Sequence, residues 1–175
     1  EAEHFARTAV LADPHLLSAR STLVQVLLCA RRYDAARAEA LSILARAPHE
    51  RAVWLWLGWC EMFSARPEEA AVAFARSFGG DTNAAAVLRT ADLGAFFASL
   101  AQQSAEDETP GAVFRPVDRA IVCAHGGEGD RAMRFLAHAV RENDPQLAWV
   151  SVLPHFDRLR GRKDFERFCR ETRAT

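Results

Sequence analysis

Two helical runs end in proline at the same interval: Ala-Asp-Pro at 12–14 and Arg-Ala-Pro at 46–48 put Pro14 and Pro48 34 residues apart. Leu23 and Leu57 keep that interval, and Ala2, Ala36 and Ala70 form a second ladder at the same spacing. A period of this length constrains the fold more than any composition figure. Each unit is one supersecondary element that cannot bury its own apolar face, so units must stack on neighbours. Alanine, the best helix former, fills about a fifth of the positions, and β-branched residues are few outside short runs. The units therefore read as helical.

One unit carries more than spacing. Trp54-Leu55-Trp56-Leu57-Gly58-Trp59 is followed by Pro67-Glu68-Glu69-Ala70 and then by Phe74. Glycine in mid-helix lets a second helix approach closely, and alanine does the same from the facing helix. Pro67 suits a first helical turn, where its missing N–H costs nothing, and the two glutamates after it complement the positive end of the helix dipole. On Trp54, Leu57, Gly58, Ala70 and Phe74 the chain resembles the tetratricopeptide repeat family. Glu61 stands where that family has tyrosine, and Thr82 where it has its closing proline. In the preceding unit Leu23, Tyr33, Ala36 and Pro48 match, while Arg20, Val24 and Ala40 replace Trp, Gly and the aromatic residue.

The resemblance implies an all-α fold, a right-handed α-α superhelix of antiparallel helix pairs with an irregular middle segment. Residues 1–16 read as half a repeat, 17–50 and 51–82 as full repeats, 83–115 as irregular helices and a loop, 116–143 as a degenerate repeat and 144–175 as capping helices. Within 83–115, stretches 83–90 and 92–103 look helical, with Asp92 a natural N-cap. Gly126, Gly127 and Gly129 separate the two helices of the degenerate pair, and Asp130 is expected to cap the second. Asp144-Pro145, Trp149, Pro154, Phe156, Leu159-Arg160 and Phe165 resemble the closing segment of many bacterial tetratricopeptide proteins: a short helix, a Pro-x-Phe-x-x-Leu-Arg turn and a final helix. Proteins with that ending are often multidomain regulators, among them winged-helix transcription activators, nucleotide cyclases and serine/threonine kinases. A first residue that is Glu1 and lies inside a helical pattern reads as a fragment of a longer protein.

In stacked helix pairs the first helix of each unit lines a concave groove. In the family's register the groove places are Ser18, Ser21, Gln25 and Leu28 in one repeat, and Ala52, Leu55, Trp59 and Met62 in the next. Trp59 and Met62 lie one turn apart and share a face. Aromatic and Met side chains there suit an extended apolar peptide or a partner helix; equally, residues 83–103 could fold over them and make them core. Among the three clustered tryptophans, Trp54 is expected in the core, and the helix that carries them is expected to be buried nearly all round.

Other chemistries find little support in the residues. The formal net charge is −1 with no basic stripe, which argues against direct nucleic-acid binding. The six histidines (His4, His15, His49, His125, His138 and His155) pair with no nucleophile at a recognisable spacing and read as surface or hydrogen-bonded residues. Cys29, Cys60, Cys123 and Cys169 fit no zinc pattern and read as small buried hydrophobes, mildly favouring a reducing compartment. No catalytic residue, metal or cofactor is expected, and no apolar run is long enough to span a membrane. The expected role is non-catalytic. The chain would bind a protein or peptide partner, or another domain of its parent, in a bacterial regulator and possible transcriptional regulator located in the cytoplasm. A membrane helix ahead of residue 1 would move it outside the cytoplasm. A small-ligand sensor and an oligomerisation scaffold, with a possible homodimer, are the alternatives.

Overall fold

The computed structural model describes residues 1–77, 92–103 and 115–173. The expectations for 83–90, for Thr82 and for most of the loop within 104–115 lie outside them. Every regular element among the described residues is helical. The chain divides into two compact units, residues 1–93 and 94–175.

The first unit contains α1 (Ala2–Ala12), α2 (Leu17–Cys29), α3 (Tyr33–Leu44), α4 (Arg51–Phe63) and α5 (Pro67–Ser77). Neighbours in sequence pack as antiparallel pairs, and α2 also touches α4. The 34-residue period reappears in the backbone hydrogen bonds. The Asp13 N–H donates to the Ala9 carbonyl and Ala47 to Ile43; Leu16 donates to Asp13 and Glu50 to Ala47; Arg20 donates to Leu16 and Trp54 to Glu50. The turns between paired helices repeat as well. Arg31 and Ala65 both adopt a left-handed conformation, with φ of 58° and 57°. The next N–H reaches back five residues, from Arg32 to Leu27 and from Arg66 to Glu61. This is the Schellman closure of a helix C-terminus.

Between α4 and α5 the predicted close approach is present. A Cβ built on Gly58 would lie 2.7 Å from Cδ1 and Cε1 of Phe74. Phe74 and Ala70 are fully buried and Leu57 nearly so. At the matching places between α2 and α3 stand Val24 and Ala40, both fully buried. The larger residue has changed helix. A fully buried Phe or Leu side chain contributes about 1.5–3 kcal/mol, so these seams supply much of the stability.

Trp54 departs from the expectation. It is only half-buried: its indole N–H donates to the Pro48 carbonyl at 2.9 Å, and the Arg76 guanidinium sits 4.4 Å from the ring centroid. Trp59 is the core tryptophan, 5 % exposed and edge-on to Phe74 at 5.0 Å. Helix α4 is buried from Leu57 to Glu61, while Arg51 and Ala52 in its first turn are exposed, so it is not enclosed all round.

The second unit contains α6 (Leu93–Gln103, with Asp92 immediately before it), α7 (Pro116–His125), α8 (Gly129–Arg141), the short α9 (Leu147–Val150), a 3₁₀ helix (Pro154–Leu159) and α10 (Lys163–Arg173). The α7–α8 turn repeats the closure seen twice before: Gly127 has φ of 82°, and Glu128 N–H donates to the Cys123 carbonyl. Aligning the turns puts Ala120, Ala132 and Leu136 on the places of Gly58, Ala70 and Phe74, and all three are fully buried. Asp130 is not the cap of α8. Glu128 holds that position, and Asp130 instead accepts a 2.6 Å hydrogen bond from Arg162. The buried Asp144 carboxylate accepts the backbone N–H groups of Val117 at 3.2 Å and Gln146 at 2.9 Å, tying the start of α7 to the segment before α9. No helix among the described residues is long and apolar enough to cross a membrane.

Candidate functional site

The first helices of the two full repeats, α2 and α4, lie against one another and present matching positions one period apart. Ser18 pairs by register with Ala52, Ser21 with Leu55, Gln25 with Trp59, and Leu28 with Met62. Ser18 and Ala52 are exposed; Ser21, Gln25, Leu55 and Met62 are partly exposed. Leu28 and Trp59 are buried and are corrected from groove to core. Trp59 is covered because Phe74 on α5 and Phe63 on its own helix close on its ring. What remains accessible is a strip with two hydroxyls and one amide from α2 beside aliphatic and thioether surface from α4. It can hydrogen-bond an extended backbone on one side and cover apolar side chains on the other.

The strip ends near an ionic cluster that the sequence did not disclose. Glu61 is buried, its side chain 3 % exposed, and accepts hydrogen bonds from Arg37 on α3 at 2.6 Å and from Arg66 at 3.1 Å. Arg66 also reaches Asp34 at 3.0 Å. These carboxylates, Glu61 first and then Asp34, raise the Arg66 pKa further. The two arginines that compensate Glu61 come from the neighbouring pair and the turn. The site therefore joins consecutive repeats. Rings continue the junction: Tyr33 stacks on Phe63 at 5.4 Å, and Phe63 stacks on Trp59 at 6.1 Å. Beside them an open cleft of about 510 Å³ is lined by Arg31, Arg32, Tyr33, Asp34, Ser64 and Arg66.

The thiols are poorly suited to nucleophilic work. Burial pushes Cys29 up to about 11 and Cys60 up to about 12, and Cys123 is raised by the same cause, so all three remain protonated near neutrality. Among the described residues no three His, Cys, Asp or Glu side chains are grouped to hold a metal ion. Two histidines lie deeper than sequence reasoning put them. His125 and His155 are both buried in the second unit, edge to face at 5.8 Å, with Phe97 of α6 tilted 5.1 Å from His125. Burial and then the nearby Arg158 charge push His125 down to about 4. Burial pushes His155 well below its usual range, with His125 adding to the effect.

No protein-family model, curated protein or solved structure matches the chain.

Proposed function

We propose that the chain is a tetratricopeptide-type interaction domain, a right-handed stack of helix pairs that binds a protein or peptide and performs no chemistry. The observation that carries this reading is the register shared by α2 and α4. Backbone hydrogen bonds recur at 34 residues, and the recurrence gives Ser18, Ser21 and Gln25 on α2 the same register as Ala52, Leu55 and Trp59 on α4, with Met62 one turn further on. A strip of that composition favours an extended segment whose amides meet Gln25 and the serines while its aliphatic side chains cover Leu55 and Met62. The closing segment's resemblance to multidomain bacterial regulators extends the proposal: the natural occupant is another regulatory protein or a domain of the same parent.

The test is selection of displayed random peptides on the immobilised chain, followed by titration of the enriched sequences. Peptides with spaced aliphatic residues should be enriched, and Leu55→Glu or Ser21→Arg should weaken them at least tenfold. Enriched peptides that bind both variants as well as the parent chain would move the site elsewhere, and the absence of any enrichment would count against an interaction role.

A further inference from the structure

Arg32 and Arg66 stand 34 residues apart, each directly after the left-handed residue of its turn. The repeat thus returns a guanidinium to the same place in consecutive turns. Both arginines line the open cleft of about 510 Å³, together with Asp34 and Ser64. Carboxylates do not match these cations one for one. Glu3 is shared by Arg7 and Arg32, and Glu61 by Arg37 and Arg66. Arg66 also holds Asp34, whose side chain is 86 % exposed. Arg32 is half in solvent, and among the described residues it engages a side-chain partner through Nη1 alone. The half-buried Ser64 hydroxyl engages none among the same residues. Donors of two kinds therefore remain open in one cleft.

We infer that this cleft receives a phosphorylated side chain of the peptide that lies on the α2–α4 strip. Guanidinium forks pair with carboxylate and with phosphate, and charge decides between them here. A single carboxylate offers Arg32 and Arg66 no more than Glu3 and Asp34 already supply, and exposed pairs of that kind contribute little. A phosphoserine carries about −1.5 to −2 charges and three acceptor oxygens. Its oxygens match three sets of donors in the cleft: Arg32, Arg66 and the Ser64 hydroxyl. The exposed Asp34 can yield Arg66 to it and return to water, while the buried Glu61 keeps Arg66 in place. Met62, the accessible residue at the end of the strip, lies two residues before Ser64. A segment that follows the strip past Met62 thus reaches the cleft.

The inference rests on the reading of the strip as a peptide site, so the experiment separates the two. The probes are fluorescein-labelled, amidated peptides with a Leu-Ser-Leu core and one phosphoserine, placed after the core in one peptide and before it in the other. Each has a twin with serine and a twin with glutamate in place of the phosphoserine. Titrated with the whole chain and followed by anisotropy, one phosphoserine peptide should bind at least tenfold tighter than its serine twin and at least threefold tighter than its glutamate twin. Arg32→Glu should abolish that preference and leave the serine twin unchanged; its side chain is 53 % exposed, so the fold tolerates the change. Ser64→Ala should reduce the preference. Arg167→Glu, the same charge change at an exposed position of the second unit, should not. Leu55→Glu should weaken all three twins alike. No difference among the twins, or a phosphoserine preference indifferent to Arg32→Glu, overturns the inference, while the serine twin and Leu55→Glu still report on the strip. A glutamate twin that equals the phosphoserine peptide overturns it as well, because one carboxylate then suffices. Inorganic phosphate that displaces the probe as well as unlabelled phosphopeptide does also overturns it, by showing a site for the free ion.

Discussion

Phe74 occupies the space that a side chain on Gly58 would need: its Cδ1 and Cε1 atoms lie 2.7 Å from the Cβ position. The ring is fully buried, with Trp59 edge-on at 5.0 Å, so it has nowhere to retreat. Gly58→Ala should therefore destabilise the first unit, although alanine is the better helix former by about 1 kcal/mol. Overpacking costs of about 1–3 kcal/mol outweigh that gain. Urea unfolding followed by tryptophan fluorescence reads the loss. Adding Phe74→Leu should recover at least half of it, a coupling that a generic helix effect would not produce.

Ala65 carries a Cβ in a left-handed turn, with φ of 57°. Glycine holds that conformation without the steric cost that other residues meet. Ala65→Gly should raise stability by about 0.5–1 kcal/mol, the strain relieved exceeding the extra entropy of the unfolded chain. A lower urea midpoint than that of the parent chain would show that the turn carries no strain there.

Asp144 holds two backbone donors from a buried position. Asp144→Ala leaves the Val117 and Gln146 N–H groups without their carboxylate. The expected loss is about 1–2 kcal/mol, as for other helix caps. Asp144→Asn retains acceptor oxygen and should recover part of it. Hydrogen exchange is the sharper readout: protection should fall first at the start of α7.

The two buried histidines make the second unit sensitive to acid. Both are held neutral in the fold, His125 down to about 4 against an ordinary value of 6.5. Above the ordinary value neither folded nor unfolded chain takes a proton, and the contribution is flat. As pH falls from there, the unfolded histidines charge and the folded ones refuse, so stability drops; for His125 the drop ends near its folded value. Each histidine adds about one proton taken up on unfolding across this window. Unfolding midpoints measured from about pH 7 to 4.5 should decline, and His155→Phe should remove about one proton from the slope. An unchanged slope would place His155 in a solvated setting.

Much of the first unit was legible before any coordinates. Gly58, Ala70 and Phe74 advertise a close helix seam because small and large residues at those spacings have few other uses. The phase of the tryptophans was not legible. Successive residues turn by 100°, which distributes Trp54, Trp56 and Trp59 around α4 without saying which direction faces α5. The groove reading failed at Leu28 and Trp59 for a related reason: register names a face, but the side chains folded against it decide which of its positions solvent reaches. The left-handed turns at Arg31 and Ala65 carried no glycine to announce them. The burial of His125 and His155 depends on Phe97 and the 3₁₀ segment meeting α7, a long-range contact that local pattern does not encode.

The exchange of bulk between seams has an outcome for assembly of the chain. Gly58 faces a ring; by register Val24 corresponds to a small partner, Ala40, and Ala120 with Leu136 is an intermediate case. Were the helix bearing Val24 to pair with the one bearing Phe74, branched carbon and ring would collide; were the helix bearing Gly58 to pair with the one bearing Ala40, a void would open. Each first helix is thus keyed to its own second helix, and look-alike repeats that could trade partners while folding are kept from doing so by the shapes of single residues.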